Sequence, residues 1–359
     1  MRNLFSICLL CTMCSASISD SYAVTFNSFD NIIEVKNSIV NDNLLDKFNN
    51  KFFINAESIA EIGILPFAQF YMIENNKSYS IEYDIISSYQ ISDVYIELDE
   101  SIKNSNSEVD LSQRVSMRGI DLAQITFYPI EYDSNNHILT IIEDFDFYIT
   151  EQEIDYSSFE QSHPVSISKD FEKILSSMVI NLEIGNRTTD DMPSILYVCG
   201  GSSLGNSYLQ DLIQWRKEQG FKVYTINTSE IGNDFYSIKD YISDAYYNWE
   251  YPPEYIVLVG DTGGSYQIGY STASGGSSDY PYTLIDGDDL LPELFIGRIS
   301  ANSSSDLDNI INKTLAYEKA TFIDFTGSEW YESSGLVGDP SSTGNSAIIT
   351  NEYIENMLN

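Results

Sequence analysis

The chain has 359 residues, enough for two domains that each bury a core, and its 13% aromatic content includes 26 Tyr. Only 18 basic residues face 54 acidic ones, a formal charge of −36. Such a surface repels nucleic acid and anionic lipid and attracts divalent cations, which excludes nucleic-acid binding.

In chain order the first feature is an export signal. Arg2 supplies the positive start, the run from Leu4 to Met13 the apolar stretch, and Ser21-Tyr22-Ala23 a small-x-small cleavage site, so residues 1–23 are expected to be removed. That stretch is too short for a stable membrane anchor, and no later segment reaches the length of a membrane helix. Neither Cys11 nor Cys14 follows the small residues of a lipoprotein signal. Three of the four cysteines lie inside the signal, so the mature chain keeps only Cys199 and has no internal disulfide to form.

Residues 24–152 read as one all-β unit. Alternating stretches at 67–73, 79–85, 94–98, 123–128, 138–142 and 145–149 are parted by Asn, Asp and Ser clusters, the spacing of a sandwich or barrel. His137 falls in a turn and reads as a solvated residue. Residues 153–191 form a polar, acidic join with one helical candidate at 169–180; Lys169, Lys173 and Arg187 are its protease-accessible basic points, and His163 precedes Pro164.

From Pro193 the period changes. Strands are expected at 194–199, 221–226 and 255–260, and helices at 207–219, 237–249 and 303–318. Strands alternating with helices make a parallel, doubly covered sheet, an α/β fold. Right-handed crossovers put the strand ends, Gly260-Asp261 among them, on one edge, where such folds keep their sites. Residues 333–358 open a further strand at Gly335-Leu336-Val337, a polar loop and a helix.

The densest chemistry lies in SDYPYTLIDGDDLLPELFIGRIS, residues 278–300. Residues 280–284 alternate as a half-buried strand would, and Leu294-Phe295-Ile296-Gly297 reads as a strand buried on both faces. Between them Asp286, Asp288 and Asp289 crowd around Gly287, with Glu293 just beyond. Carboxylates packed this closely repel one another unless something positive joins them, and such a turn suits a hard, oxygen-seeking cation, calcium above all. The plainer alternative is a solvated acidic turn. Asp261 is expected on the same sheet edge, so that carboxylates from both places converge.

Other candidates are weaker. Cys199 ends a strand with no histidine after it and reads as a small buried hydrophobe. Gly200-Gly201-Ser202-Ser203-Leu204-Gly205 fits neither the dinucleotide fingerprint nor the P-loop. Asp261-Thr262-Gly263 stands alone, without the second triplet an aspartic pair needs.

Four blocks in order, WRKEQGFKV from Trp215, YIVLVGD from Tyr255, the 278–300 stretch and KTLAYEK from Lys313, make the chain from about Pro193 resemble the gingipain-type cysteine peptidases, family C25, with their caspase-like fold. The β-rich half, with MRGI from Met117 and FYPIEYDSNNHILTI from Phe127, resembles that family's propeptide. The resemblance implies a multidomain chain: an all-β prodomain at 24–152, a linker at 153–191, a caspase-like subdomain at 192–327, and the start of a second, catalytic subdomain at 328–359. It implies a secreted, calcium-stabilised cysteine endopeptidase made as a zymogen, acting on protein and peptide substrates, with the prodomain packed on its own catalytic domain. Carried over by motif, the calcium ligands are Asp261, Asp289 and Glu293, with backbone oxygens of Asp286 and Leu291. The family's catalytic histidine and cysteine lie in a Gly-His-Gly strand end and the strand after it. Neither motif is present, so the dyad is expected beyond Asn359, and Asp339 falls where the family keeps the acidic partner of that histidine. A non-catalytic calcium-binding surface module is the alternative. The 359 residues alone, with no base near Cys199, are expected to show no peptidase activity.

Overall fold

The computed structural model describes residues 18–27, 32–37, 49–53, 68–73, 78–92, 109–128, 130–152, 165–180, 182, 188–189, 192–273, 276–321, 335–336 and parts of 348–355. Alternation in the first unit yields nine strands among these residues: β1 (Ile18–Asn27), β2 (Ile32–Asn37), β3 (Asn49–Phe53), β4 (Ala68–Ile73), β5 (Ser78–Ile91), β6 (Val109–Met117), β7 (Ile120–Phe127), β8 (Ile130–Asp133) and β9 (Ile138–Gln152). One antiparallel sheet runs β3-β2-β1-β9-β5, with β8 also on β9; the other runs β4-β7-β6. Phe127 of β7 stacks on Phe145 of β9 with ring centroids 4.2 Å apart, so the two sheets face each other across a shared core, as in a sandwich.

The stretches expected as separate strands at 138–142 and 145–149 are one strand. The register slips at Ile86 of β5 and again at Glu143 of β9, which absorbs the break in alternation, and between the two slips Ser87 donates to Asp144 Oδ2 at 3.2 Å. Within β1, Ile18 to Ala23 pair with Thr150 to Asp146 of β9, and Val24 onward continues that pairing. The stretch expected at 94–98 lies outside the described residues.

The join is more than a connector. Ser168 caps the amphipathic helix α1 (Lys169–Met178), whose Phe171 and Leu175 are buried against Tyr71, Met117, Ile120 and Leu122 of the β unit. Leu291 and Phe295 of the later unit pack on the same cluster, so α1 is shared core between the two halves. Just before it β10 (Ile167–Ser168) pairs with β11 (Thr188–Thr189).

The second unit contains β12 (Ser194–Cys199), α2 (Ser207–Glu218), β13 (Lys222–Asn227), α3 (Thr228–Ile231), α4 (Phe235–Asn248), β14 (Pro253–Val259), the hairpin β15 (Ser271–Ala273) and β16 (Gly276–Ser278), β17 (Phe295–Ile299) and α5 (Ser304–Glu318). All four strands of its sheet, β13-β12-β14-β17, run parallel. Every residue of β12 is buried, because it lies inside the sheet and both faces are covered. Leu196, Val198, Ile256 and Leu258 meet Ile238, Ile242 and Tyr246 of α4 on one face. Ile195, Tyr197 and Val259 meet Leu209, Leu212 and Ile213 of α2 and Leu307 and Ile311 of α5 on the other. Each such aliphatic side chain stabilises the fold by about 1.5–3 kcal/mol on burial.

Two local expectations are corrected. Residues 280–284 are no strand: Tyr280–Tyr282 form a turn of 3₁₀ helix, closed by Tyr282 N to Asp279 O at 3.0 Å and Thr283 N to Tyr280 O at 2.9 Å. Pro281 has no N–H for a ladder, and a 3₁₀ turn buries Tyr282 while leaving Tyr280 43% exposed, which imitates strand alternation. β17 is half-buried rather than buried on both faces, since among the described residues it has a neighbouring strand on one side only. At Gly335 and Leu336 the backbone is irregular, where a strand was expected.

Candidate functional site

The strand-end edge of the parallel sheet is built on glycines. A Cβ at Gly200 or at Gly260 would run into the Tyr266 carbonyl, so the loop after β14 lies directly on both strand ends. Arg298 of β17 fixes that loop. Its guanidinium grips both carboxylate oxygens of Asp279 at 2.8 and 2.7 Å and donates to the carbonyls of Gly260, Ile268 and Gly269 at 3.2, 3.3 and 3.0 Å. Asp261 accepts from Thr262 N at 2.8 Å and from Asn302 Nδ2 at 2.7 Å. The Thr262 N–H, joined by Ser300, Asn302 and Arg298, holds its carboxyl below the usual carboxylate range.

No nucleophile with a base stands at this edge among the described residues. Cys199 is fully buried, and burial pushes its thiol up to about 12, the opposite of an activated thiolate. His137 lies in the hairpin turn between β8 and β9, its Nδ1 3.4 Å from Tyr132 Oη. His163 and Asp339 lie outside the described residues.

The acidic turn belongs to the other edge. Parallel pairing sets Phe295 opposite Tyr255 and Ile299 opposite Val259. Glu293 therefore stands level with Pro253, at the strand starts, while Asp261 follows the strand end. Eight strand positions separate the two levels, roughly 25 Å at about 3.3 Å per residue. The expected convergence of Asp261 with Asp289 and Glu293 is thus corrected. In a parallel sheet the residue before one strand and the residue after its neighbour lie at opposite edges.

Asp286, Asp289, Leu291 and Glu293 do share one turn. Asp289 accepts from Ser116 N and Leu291 N, both at 2.7 Å, and Ser116 Oγ lies 3.5 Å from Asp286 Oδ2. Glu293 is completely buried; Oε2 accepts from Ile285 N at 2.7 Å and Oε1 has no hydrogen-bond partner. Burial, reinforced by Asp289 and Asp286, pushes its carboxyl up to about 8 against the N–H groups of Ile285 and Asp286. Nearby Lys239 donates to the carbonyls of Pro281, at 2.6 Å, and Leu284. Burial holds that ammonium down to about 8, opposed by Glu293.

An orphaned buried carboxylate oxygen beside two aspartates is the chemistry a hard cation satisfies. The arrangement does not fit the five-residue calcium set, however. Among the described residues no three carboxylate, cysteine or histidine side chains are gathered to hold an ion, and both oxygens of Asp289 are turned toward backbone N–H groups.

A buried arginine from the β unit enters at this same edge. Arg118 and Gly119 form the tight β6–β7 turn with φ of 53° and 65°, the left-handed pair a two-residue hairpin demands. Arg118 is 1% exposed. Its Nη1 donates to Pro253 O and Glu293 O, each at 3.0 Å, and its Nε to Ser166 O at 3.3 Å. Its Nη2 lies 3.7 Å from Glu254 Oε2, and its Cζ sits over the rings of Phe171 and Tyr246, 5.7 and 5.6 Å from their centroids. Glu254 accepts further bonds from Ser168 N, at 3.3 Å, and Ser168 Oγ. Burial lifts the Glu254 carboxyl above its ordinary range, opposed first by the Arg118 charge. Sequence reasoning missed Arg118, Glu254 and Arg298 as structural hubs. The visible signal was an Arg-Gly pair between two alternating stretches, in a chain with few basic residues to spare.

No helix among the described residues is long and apolar enough to cross a membrane, which leaves β-barrel spans untouched. Residues 188–359 match the family model of peptidase family C25. The chain is 30% identical over 217 residues to Lys-gingipain of Porphyromonas gingivalis, covering 58% of this chain and 12% of that protein. It is 24% identical over 260 residues to gingipain R2 of the same organism, covering 69% and 34%. The chain thus spans about an eighth of the Lys-gingipain and a third of the gingipain R2 it matches. A solved complex of Porphyromonas gingivalis RgpB pro- and mature domains overlaps at 26% identity and a TM-score of 0.36, covering 45% of this chain and 38% of that one. The crystal structure of the Arg-specific cysteine proteinase gingipain R overlaps at 24% identity and a TM-score of 0.37, covering 49% and 40%. Over residues 188–359 the chain is thus similar to peptidase family C25, the gingipain-type cysteine peptidases.

Proposed function

We propose that the chain is the N-terminal part of an exported cysteine endopeptidase made as a zymogen, in which residues 24–152 are the prodomain and the parallel-sheet unit is the first part of the catalytic domain. The observation that carries this reading is the family match over 188–359 in a chain whose preceding β unit packs onto that region through a buried arginine. In such an enzyme a thiolate attacks the peptide carbonyl and a histidine moves the proton from thiol to leaving amine. We assign Asp339 to orient that histidine. The part of this chain is positional: Arg298 and the 261–269 loop set the strand-end edge beside which substrate would lie.

Calcium remains part of the proposal, narrowed to Asp286, Asp289, Glu293 and the Leu291 carbonyl and without Asp261. Bound there it would neutralise carboxylates that otherwise repel. The support is the unpartnered Glu293 Oε1. Binding requires Asp289 to turn from the Ser116 N–H.

The test is to recover the native secreted protein, sequence its N-terminus and treat it with a thiol-directed peptidyl acyloxymethyl ketone. A mature form beginning within 153–191 that takes the label supports the reading. A form that keeps residues 24–152 covalently and takes no label favours the non-catalytic surface module.

A further inference from the structure

The Arg118 slot is more than a place where two surfaces meet. Its acceptors come from three separate stretches: Ser166 O before α1, Pro253 O and Glu254 at the start of β14, and Glu293 O before β17. The ring of Phe171 comes from α1 and that of Tyr246 from α4. Nε and Nη1 of the planar fork donate to three carbonyls, Nη2 lies beside the Glu254 carboxylate, and Cζ sits over both aromatic rings. A lysine ammonium, a point charge without the fork, could not satisfy this set. Beside the slot lies a cavity of about 230 Å³, lined by Arg118, Ser168, Ser194, Lys222, Tyr251 and Glu254.

We propose that the strand-start edge of the α/β unit is a guanidinium receptor whose ligand is the Arg118 side chain, and that this receptor holds the β unit in place. Without that ligand the Glu254 carboxylate would stay buried with its counter-charge gone, a state proteins avoid. The receptor lies on the opposite edge from the Gly260–Asp261 loop, so it anchors the β unit without occupying the strand ends. The inference deepens the zymogen reading and rests on it only for the role of the β unit as a prodomain. Its test reads folding and binding rather than peptidase activity, so the two can fail separately.

The experiment is chemical rescue in the full 359-residue chain. Arg118→Ala should melt at a lower temperature than the wild type and be nicked faster by trypsin. Methylguanidinium at millimolar, non-denaturing concentration should restore at least half of the lost melting temperature, saturably, and methylammonium should restore none. In Arg118→Ala combined with Glu254→Gln the rescue should weaken at least tenfold in half-saturating concentration. If Arg118→Ala does not fold, the same reagents are compared during its refolding, and recovery of folded chain with methylguanidinium alone carries the same weight. Absence of rescue, equal rescue by methylammonium, or rescue indifferent to Glu254 overturns the proposal.

Discussion

Asp261 and Glu293 stand at opposite edges of one parallel sheet, the first two residues past the end of β14 and the second two residues before the start of β17. A cation held at the acidic turn therefore gains nothing from Asp261. A ligand that binds only the folded chain adds about 2.7 kcal/mol at a hundred times its dissociation constant. Excess calcium should accordingly raise the melting temperature over that in EDTA for wild type and for Asp261→Ala alike, and Asp289→Ala should abolish the gain. Loss of the gain in Asp261→Ala would mean that the two edges communicate through a shared ion.

The buried carboxyl of Glu293 makes metal-free stability depend on pH. Below the ordinary glutamate range the group is protonated in both folded and unfolded chains and has no differential effect. As pH rises toward about 8 the unfolded chain loses the proton and the folded chain keeps it. The folded state then binds more protons, so stability falls as pH rises, by on the order of 4–5 kcal/mol. In EDTA, Glu293→Gln should match wild type near pH 4 and melt higher than wild type at pH 8. A variant that loses stability equally at both pH values would show that folding leaves the Glu293 carboxyl unshifted and would contradict this.

Much of the second unit was legible because buried parallel strands and amphipathic helices write their period directly. Ser194–Cys199 is a strand over the residues its apolar run marks, and α5 begins where Ser303 offers a cap. The pairing of β17 was not legible from its own residues, and with it went the side of the sheet that receives Glu293. Tyr280–Tyr282 misled because a 3₁₀ turn also buries one aromatic ring and exposes the next. Arg118 was hidden for a different reason: its partners are mostly backbone carbonyls, which carry no residue signature.

Arg298 and Asp279 form a bidentate pair whose side chains are only 11% and 25% exposed. Arg298→Met would strand the Asp279 carboxylate and three carbonyls, costing about 3 kcal/mol. Urea unfolding checks the size. Hydrogen exchange should localise the loss to 260–280, and the double variant Arg298→Met with Asp279→Asn should recover part of it. Uniform loss across the sheet would assign Arg298 to general packing instead.

Cys199 should behave as core. With its thiol buried and pushed up to about 12, a disulfide reagent at pH 8 should leave Cys199 unmodified in the folded chain and modify it fully in urea. The 359-residue chain, calcium-loaded, should fail to cleave denatured casein between pH 4 and 9; cleavage abolished by Cys199→Ala would reverse that assignment.

We propose that the β unit is a prodomain seated on a C25-like peptidase unit. The most direct test is the N-terminal sequence of the secreted protein combined with labelling by a peptidyl acyloxymethyl ketone. A labelled polypeptide that begins between residues 153 and 191 is expected, with the β unit present only as a separate chain. An unlabelled polypeptide that begins near Val24 and carries both units would contradict it.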